Sequence, residues 1–409
     1  MRNRNVQARV AFADVPSGQW TAGRQYLKNI FHALGTLDVK ERPNILLVSE
    51  SADAPKELSP YVSQTLVNRS AHQARRGLIQ RLKGRARGAF NLVTEGDLSI
   101  VLREAAVDCY FATGAVTSPL QVPTIGWIPD FQHIHHPEFF TASELEDRNR
   151  IYKLTANLSD IVVLSSSAVF EDFRAFVPNQ AHKGRVLSFA ASIPKKVFEL
   201  DPNEVCVSYH LPVNFFYLPN QFWMHKNHYV VVEALKIAMT KEPNIVVVCT
   251  GNTNEYRNPL HFANLLAEIS RQGLRRNLVI LGMVDHVDIF LLMRQSVAVL
   301  QPSLFEGWST TVEEVKALGK EIIISDIPVH REQNPDKAFF FNPRDAHDLA
   351  EKLVYTYRNG KSGPNKEMEA SASLMKPLRD QHFAQTLLSH LKDCHALFRQ
   401  KEKPKRSLR

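Results

Sequence analysis

LQPSLFEGWSTTVEEVKALGKEIIISDIPVHREQ, residues 300–333, reads as a strand end, a turn, a helix and a second strand in succession. The apolar run VAVLQPS, 297–303, leads into a turn carrying Glu306 and Gly307. Ser309, Thr310 and Thr311 are residue types that open helices, Glu313 and Glu314 fall in the first turn, and Gly319 stops the helix before the strand EIIIS. A strand feeding a helix that returns to another strand is the repeating unit of a parallel sheet.

The same alternation runs back towards the start of the chain. In the second half stand FFYLP, NIVVVCT and NLVILG; in the first half stand VAFADV, NILLVS (44–49), VDCYFAT (107–113), VPTIGWI (122–128) and DIVVLSS (160–166). Continuous apolar strands separated by helical stretches indicate sheets covered on both faces. With 409 residues the chain exceeds a single core, and two domains are expected. ASIPKKVFELDPNEVCVSYHLPVN, 191–214, is rich in proline and polar residues and interrupts the alternation, which then starts afresh. The expected division is residues 1–205, residues 206–376 and a C-terminal segment, 377–409. In that segment Phe383, Leu387, Leu388, Leu391 and Leu397 recur at helical spacing past Pro377, before a basic tail. The fold class expected is α/β, two doubly wound domains facing across a cleft, with ligands beyond the carboxyl ends of the strands.

Composition narrows the function classes. At 44% hydrophobic and 22% charged, the chain is neither disordered nor fibrous. MRNRNVQARVAFADV lacks the apolar stretch of a signal peptide, and no run reaches the roughly 20 apolar residues a spanning helix needs, so a cytoplasmic protein is expected. Cys109, Cys206, Cys249 and Cys394 are widely separated and read as reduced core residues. The net charge of +8 favours an acidic partner. Part of it lies in residues 69–90, where Arg75, Arg76, Arg81, Lys83, Arg85 and Arg87 stand among Leu78, Ile79 and Leu82 without any acidic residue. That segment reads either as an amphipathic helix resting on anionic lipid at the inner face of a membrane or as a solvated basic helix. No helix-turn-helix, zinc or RNA-binding signature accompanies the charge, and no nucleic-acid partner is expected.

The opening of the helix that begins at Ser309, Thr310 and Thr311 carries the chemistry. A helix N-terminus presents free N–H groups to anions, so the backbone of Ser309 to Thr311 can hold a diphosphate; equally, the threonines only cap the helix, with Glu313 or Glu314 completing a capping box. About eighty residues earlier, PNQFWMHKNHYVVVEALKIA, 219–238, places Asn220, Gln221, His225, Lys226, Asn227 and His228 in a strand-to-helix loop. There Lys226 can meet a phosphate as a point charge, or remain a solvated loop lysine.

Glu306 and Glu314, spaced Glu-x7-Glu, followed by SDIPVHRE and preceded by the HKN loop, closely resemble glycosyltransferase family 4, retaining enzymes of the GT-B fold. The resemblance implies that Glu306 contacts the hydroxyls of the donor sugar, Glu314 the nucleotide ribose and Lys226 the leaving diphosphate. Many members carry an arginine a few residues before that lysine, where this chain has Asn220 and Gln221, so the expectation is one cation with several neutral donors on the diphosphate, any second charge coming from elsewhere. Gly251 and Asn252, with Gly282 and Met283, follow strands where the family encloses the nucleoside. Ala22 and Gly23, at the entry to the helix in GQWTAGRQYLKNIFHAL, resemble the family's glycine loop with one glycine missing. In WIPDFQHIHHPEFF, 127–140, His133 matches the family's active-site histidine, and His135 and His136 compete with it. For a metal site at His-x-His-His, no carboxylate or cysteine nearby completes a recognisable ligand set. Trp308 either shapes the pocket or fills core.

The resemblance thus implies a retaining glycosyltransferase moving a hexose from a nucleoside-diphosphate sugar to a glycan or lipid-linked acceptor in surface polysaccharide or glycolipid assembly. No metal and no further cofactor are expected. The alternatives are another GT-B enzyme, such as a sugar-nucleotide epimerase or a phosphorylase, and a catalytically silent scaffold. No distinctive site for a pyridoxal-linked lysine supports the phosphorylase.

Overall fold

The computed structural model describes residues 7–15, 21–68 and 95–402. The basic segment 69–90 therefore lies outside the described residues, as does the tail beyond residue 402. The chain divides into two compact units. The first holds residues up to Phe131, Ala142–Ala190 and the stretch from Leu378 onward; the second holds Gln132–Thr141 and Ala191–Pro377.

In the first unit the strands are β1 (Arg9–Ala13), β2 (Asn44–Ser49), β3 (Gln64–Val67), β4 (Cys109–Ala112), β5 (Thr124–Ile128), β6 (Ile161–Leu164) and β7 (Gly184–Val186). Their order is β3-β2-β1-β4-β5-β6-β7, with every neighbouring pair parallel. The order reverses at β1, the pattern of a doubly wound sheet. The central strands CYFA, TIGWI and IVVL are buried along their whole length, as a sheet covered on both faces requires.

The second unit contains β8 (Phe216–Pro219), β9 (Val247–Thr250), β10 (Leu278–Gly282), β11 (Val299–Gln301), β12 (Ile322–Ser325) and β13 (Ala338–Phe341), in the order β10-β9-β8-β11-β12-β13 and again all parallel. Its strands divide their side chains between two cores with period two. Phe216, Leu218, Val247, Cys249, Leu300 and Ile323 enter the core shared with the helices His228–Met239 and Ala346–Asn359. Tyr217, Val248, Val299, Ile322 and Ile324 enter the opposite core, with Phe290, Val312 and Leu318. Each buried aliphatic side chain contributes about 1.5–3 kcal/mol, which fixes the register and holds the strand ends in place.

The last helix, Lys366–Glu402, departs from expectation. Reading the proline as a boundary starts the helix after it, yet Pro377 lies inside. The lost i→i−4 hydrogen bond is tolerated because both flanks are anchored independently. Ala372 is buried on one side and Phe383, Ala384, Leu387, Leu391 and Cys394 on the other. Within the first unit, His390 hydrogen-bonds the Val186 carbonyl at 2.8 Å and Lys401 meets Asp160 at 2.7 Å. All four cysteines are free and buried. Among the described residues no helix is long and apolar enough to cross a membrane.

Candidate active site

At the end of β11 the chain turns and re-enters a helix at Thr310–Leu318, whose N-cap is Ser309. The Ser309 hydroxyl accepts from the Val312 N–H, and Gly319, at φ 68°, ends the helix in the left-handed region. Counting from this cap, the third helical residue is Val312, so neither Glu313 nor Glu314 completes a capping box. Glu313 instead turns inward to Gln333 Nε2 at 3.0 Å and Lys316 at 3.1 Å. Gln333 also accepts from the Ser309 N–H at 3.2 Å and donates to the Ser309 carbonyl at 2.9 Å. This corrects the expected anion site: the Ser309 N–H is already committed, and the first-turn N–H groups of Thr310 and Thr311 remain outside the helical ladder.

The HKN loop meets this turn directly. After β8, Met224–Lys226 form one tight turn closed by Asn227 in the left-handed conformation, φ 58°. Asn227 Nδ2 donates to the carbonyls of Pro302 and Pro343 at 3.1 and 2.8 Å, and the Leu304 N–H donates to the His225 carbonyl at 2.8 Å. So held, Lys226 Nζ reaches Glu306 Oε1 at 2.6 Å. The same carboxylate oxygen accepts from Gln301 Nε2 at 3.0 Å and Ser303 Oγ at 2.6 Å. Burial is the largest single influence and alone would raise the Glu306 pKa; the Lys226 charge, the His225 ring and the hydrogen bonds from Lys226 and Ser303 together outweigh it and hold it at about 2. Burial and the adjacent Lys226 charge lower His225 to about 3, so its imidazole is neutral.

Gln301 joins the two halves. Its Oε1 accepts from Asn220 Nδ2 at 2.9 Å, and its Nε2 faces Ser303, Glu306 and the Ser309 hydroxyl. Asn220 is thus a buried strut, and Gln221 accepts from the Asn252 N–H at 2.7 Å. Below the turn, Ser325 Oγ donates to the Ser303 carbonyl at 2.6 Å, and the fully buried His330 lies 2.9 Å from the Ser325 carbonyl, burial lowering its pKa to about 4.

Glu314 is half-buried and, among the described residues, forms no hydrogen bond or ion pair. Burial pushes its carboxyl up to about 8. Gly251 follows β9 and donates to the Gly282 carbonyl at 2.8 Å; Met283 beyond it is exposed. Gly251 sits at φ 141°, and a Cβ there would lie 2.3 Å from the Asn220 carbonyl oxygen. Gly251→Ala is therefore expected to cost about 3 kcal/mol, seen as a fall of several degrees in melting temperature, because both the backbone and the strut at Asn220 must move.

The histidine segment belongs to the second unit. His133 is buried in the short helix Gln132–His135 with its ring edge-on to Phe140, centroids 6.4 Å apart. The rings nearer the acidic turn are its neighbours: His135 lies over Phe305 at 5.1 Å, and His136, hydrogen-bonded to Glu138 at 2.9 Å, lies edge-on to it at 6.2 Å. Gly23 lies in the helix Thr21–Gly35 of the first unit. Among the described residues no three His, Cys, Asp or Glu side chains are grouped to hold a metal ion.

The arrangement brings together Lys226, Glu306 and the open helix N-terminus at Thr310 and Thr311, with Asn220 behind them. Gln301, Ser303 and Gln333, which join these parts, had not been singled out. Their one signal is a polar residue ending a fully apolar strand, Gln301 in VAVLQ.

Residues 212–372, the span containing this network, match the family described as Glycosyl transferases group 1. This part of the chain is a group 1 glycosyltransferase domain. Among characterised proteins, the O-antigen chain mannosyltransferase RfbU of Salmonella typhimurium is 26% identical over 132 residues, which are 32% of this chain and 35% of the relative. The match thus spans about a third of that relative's length. Among solved structures, Anabaena HepE in complex with UDP and glucose aligns over 97% of this chain and 98% of its own, with TM-score 0.60 and 16% identity. A glycosyltransferase from Rickettsia africae aligns over 97% of this chain and 100% of its own, with TM-score 0.62 and 16% identity. At such identities the likeness speaks for fold, and the fold is GT-B, with the group 1 domain as its second Rossmann-like half.

Proposed function

We propose that the protein is a retaining glycosyltransferase that moves a hexose from a nucleoside-diphosphate sugar to a glycan or lipid-linked acceptor, working at the cytoplasmic face of the membrane in surface polysaccharide or glycolipid assembly. The observation that carries this reading is the Lys226–Glu306 ion pair set beside the N–H groups of Thr310 and Thr311, inside the group 1 domain. Departure of a nucleoside diphosphate builds negative charge, and a fixed ammonium with helix N–H groups stabilises it without reorganisation. Glu306, ionised throughout the neutral range, accepts hydrogen bonds from the hydroxyls of the transferred sugar. No metal is part of this reading, and retention follows the resemblance. Support for a polysaccharide pathway comes from the relative named as an O-antigen chain mannosyltransferase, and for a nucleotide-sugar donor from the HepE complex with UDP and glucose.

The test is a thermal-shift screen against UDP, GDP, ADP, CMP and their sugars. Ligand at a hundred times its dissociation constant stabilises by about 2.7 kcal/mol, and one diphosphate nucleotide is expected to raise the melting temperature by several degrees. No shift with any nucleotide would count against a donor site. Turnover of the sugar nucleotide to an epimer without acceptor would favour the epimerase.

A further inference from the structure

Lys226 is already neutralised. Its ammonium lies 2.6 Å from the Glu306 carboxylate, so the pair carries no net charge. A leaving nucleoside diphosphate carries several negative charges, and the group 1 domain therefore needs another cation near the Lys226 turn.

Arg257 stands there. It lies in the loop after β9, and buried Glu255 ties that loop to the turn: Glu255 Oε2 accepts from the Met224 N–H at 3.4 Å and Oε1 from the Arg257 N–H at 3.2 Å. Asn258 Nδ2 reaches Met224 Sδ at 3.7 Å. The Arg257 guanidinium rests over the Phe140 ring at 4.4 Å and beside Tyr256 at 5.1 Å, its Nε donating to the Tyr256 hydroxyl at 3.0 Å. Among the described residues no carboxylate pairs with it. Its charge is one of those that keep His225 neutral, next to Lys226. Phe140 also belongs to Gln132–Thr141, the segment whose His135 and His136 contact Phe305 beside Glu306. One turn and one short segment thus reach both Arg257 and the acidic side of the site.

We propose that Arg257 is the second cation of the donor-phosphate site, moving from its rest on Phe140 to fork its terminal N–H groups onto the diphosphate when the nucleotide binds. This rests on the reading of Lys226 and Glu306 as a nucleotide-sugar site. A planar guanidinium suits the task, since it grips two phosphate oxygens at once and rests on an aromatic face at little desolvation cost.

The experiment titrates wild type, Arg257→Gln and Arg257→Lys with UDP and uridine, and in parallel with GDP and guanosine. For the diphosphate that wild type binds, Arg257→Gln is expected to weaken affinity by roughly tenfold to a hundredfold. Its affinity for the matching nucleoside should change less than about twofold, and Arg257→Lys should recover only part of the loss. Equal affinity of wild type and Arg257→Gln for the diphosphate overturns this proposal alone, as does an equal loss for the nucleoside. A wild type that binds no nucleoside diphosphate, ADP with adenosine as its control included, overturns the reading beneath it as well.

Discussion

Lys226→Met is expected to abolish glycosyl transfer and to weaken the fold together, whereas Lys226→Met combined with Glu306→Gln should restore the fold and leave transfer lost. Removing the lysine strands a buried carboxylate whose remaining donors are Ser303 and Gln301. Breaking one side of a buried ion pair costs about 3–5 kcal/mol, while replacing both partners by neutral groups of similar shape is near neutral. The pH dependence separates the two forms. In the wild type Glu306 is lowered from 4.5 to about 2, so its stabilisation is present above pH 4.5 and is lost as pH falls towards 2. Without Lys226 the burial contribution dominates, the folded pKa moves above 4.5, and the sign reverses: stability falls as pH rises through that shifted value. In the double variant this group no longer titrates. Melting temperatures across pH 2–8 and initial rates on the donor found by screening check all three. Loss of kcat/KM by about 10² to 10⁴ is expected in both variants. A double variant that regains transfer with its stability would reduce the ion pair to a structural role, and wild-type rates in Lys226→Met would place the chemistry elsewhere.

The strands that could be read from the chain are apolar runs, and all but the edge strand β10 lie inside a sheet. NILLVS, VDCYFAT, VPTIGWI and DIVVLSS became β2, β4, β5 and β6, and FFYLP, NIVVVCT, NLVILG, VAVLQPS and EIIIS became β8 to β12. What escaped were β3, β7 and β13, all at sheet edges. There one side needs no cover: in QTLV only Leu66 is fully buried, and GRV is three residues long. Hydrophobic runs carry no signal for these two, while β13, AFFF, is apolar but only four residues long and mostly half-buried. The site was legible to a similar depth. Glu306, Glu314 and Lys226 announce themselves by type and spacing, but the contact between Lys226 and Glu306 is made across eighty residues by the adjacency of β8 and β11. Gln333 reaches Ser309 from another helix altogether, and nothing in the spacing of single glutamines or of Arg257 in a polar loop encodes these meetings. Tertiary placement, rather than local pattern, selects them.

Glu314→Gln is expected to stabilise the protein and at the same time to impair nucleotide binding. The wild-type carboxyl is half-buried without a hydrogen bond among the described residues, and burial raises it from 4.5 to about 8. A carboxyl whose folded pKa is raised holds its proton more tightly folded than unfolded. Its environment therefore favours the fold below pH 4.5, and that advantage is lost progressively as pH rises to about 8. The amide removes the penalty, so the melting temperature of Glu314→Gln should match wild type at pH 4 and exceed it by several degrees at pH 9. With the group only half-buried, the gain is on the order of 1–3 kcal/mol. The resemblance assigns this carboxylate to the ribose hydroxyls, which can donate fully only to the ionised form. Nucleotide binding should then release close to one proton per site near pH 7, measured as a buffer-dependent binding enthalpy. Glu314→Gln should release none and bind roughly tenfold to fiftyfold more weakly, the loss of a hydrogen bond to a charged acceptor. A variant that is less stable than wild type at every pH would mean that the carboxyl has a partner in the fold. A variant with unchanged affinity and unchanged proton release would remove Glu314 from the donor site, leaving the Lys226–Glu306 prediction to stand on its own.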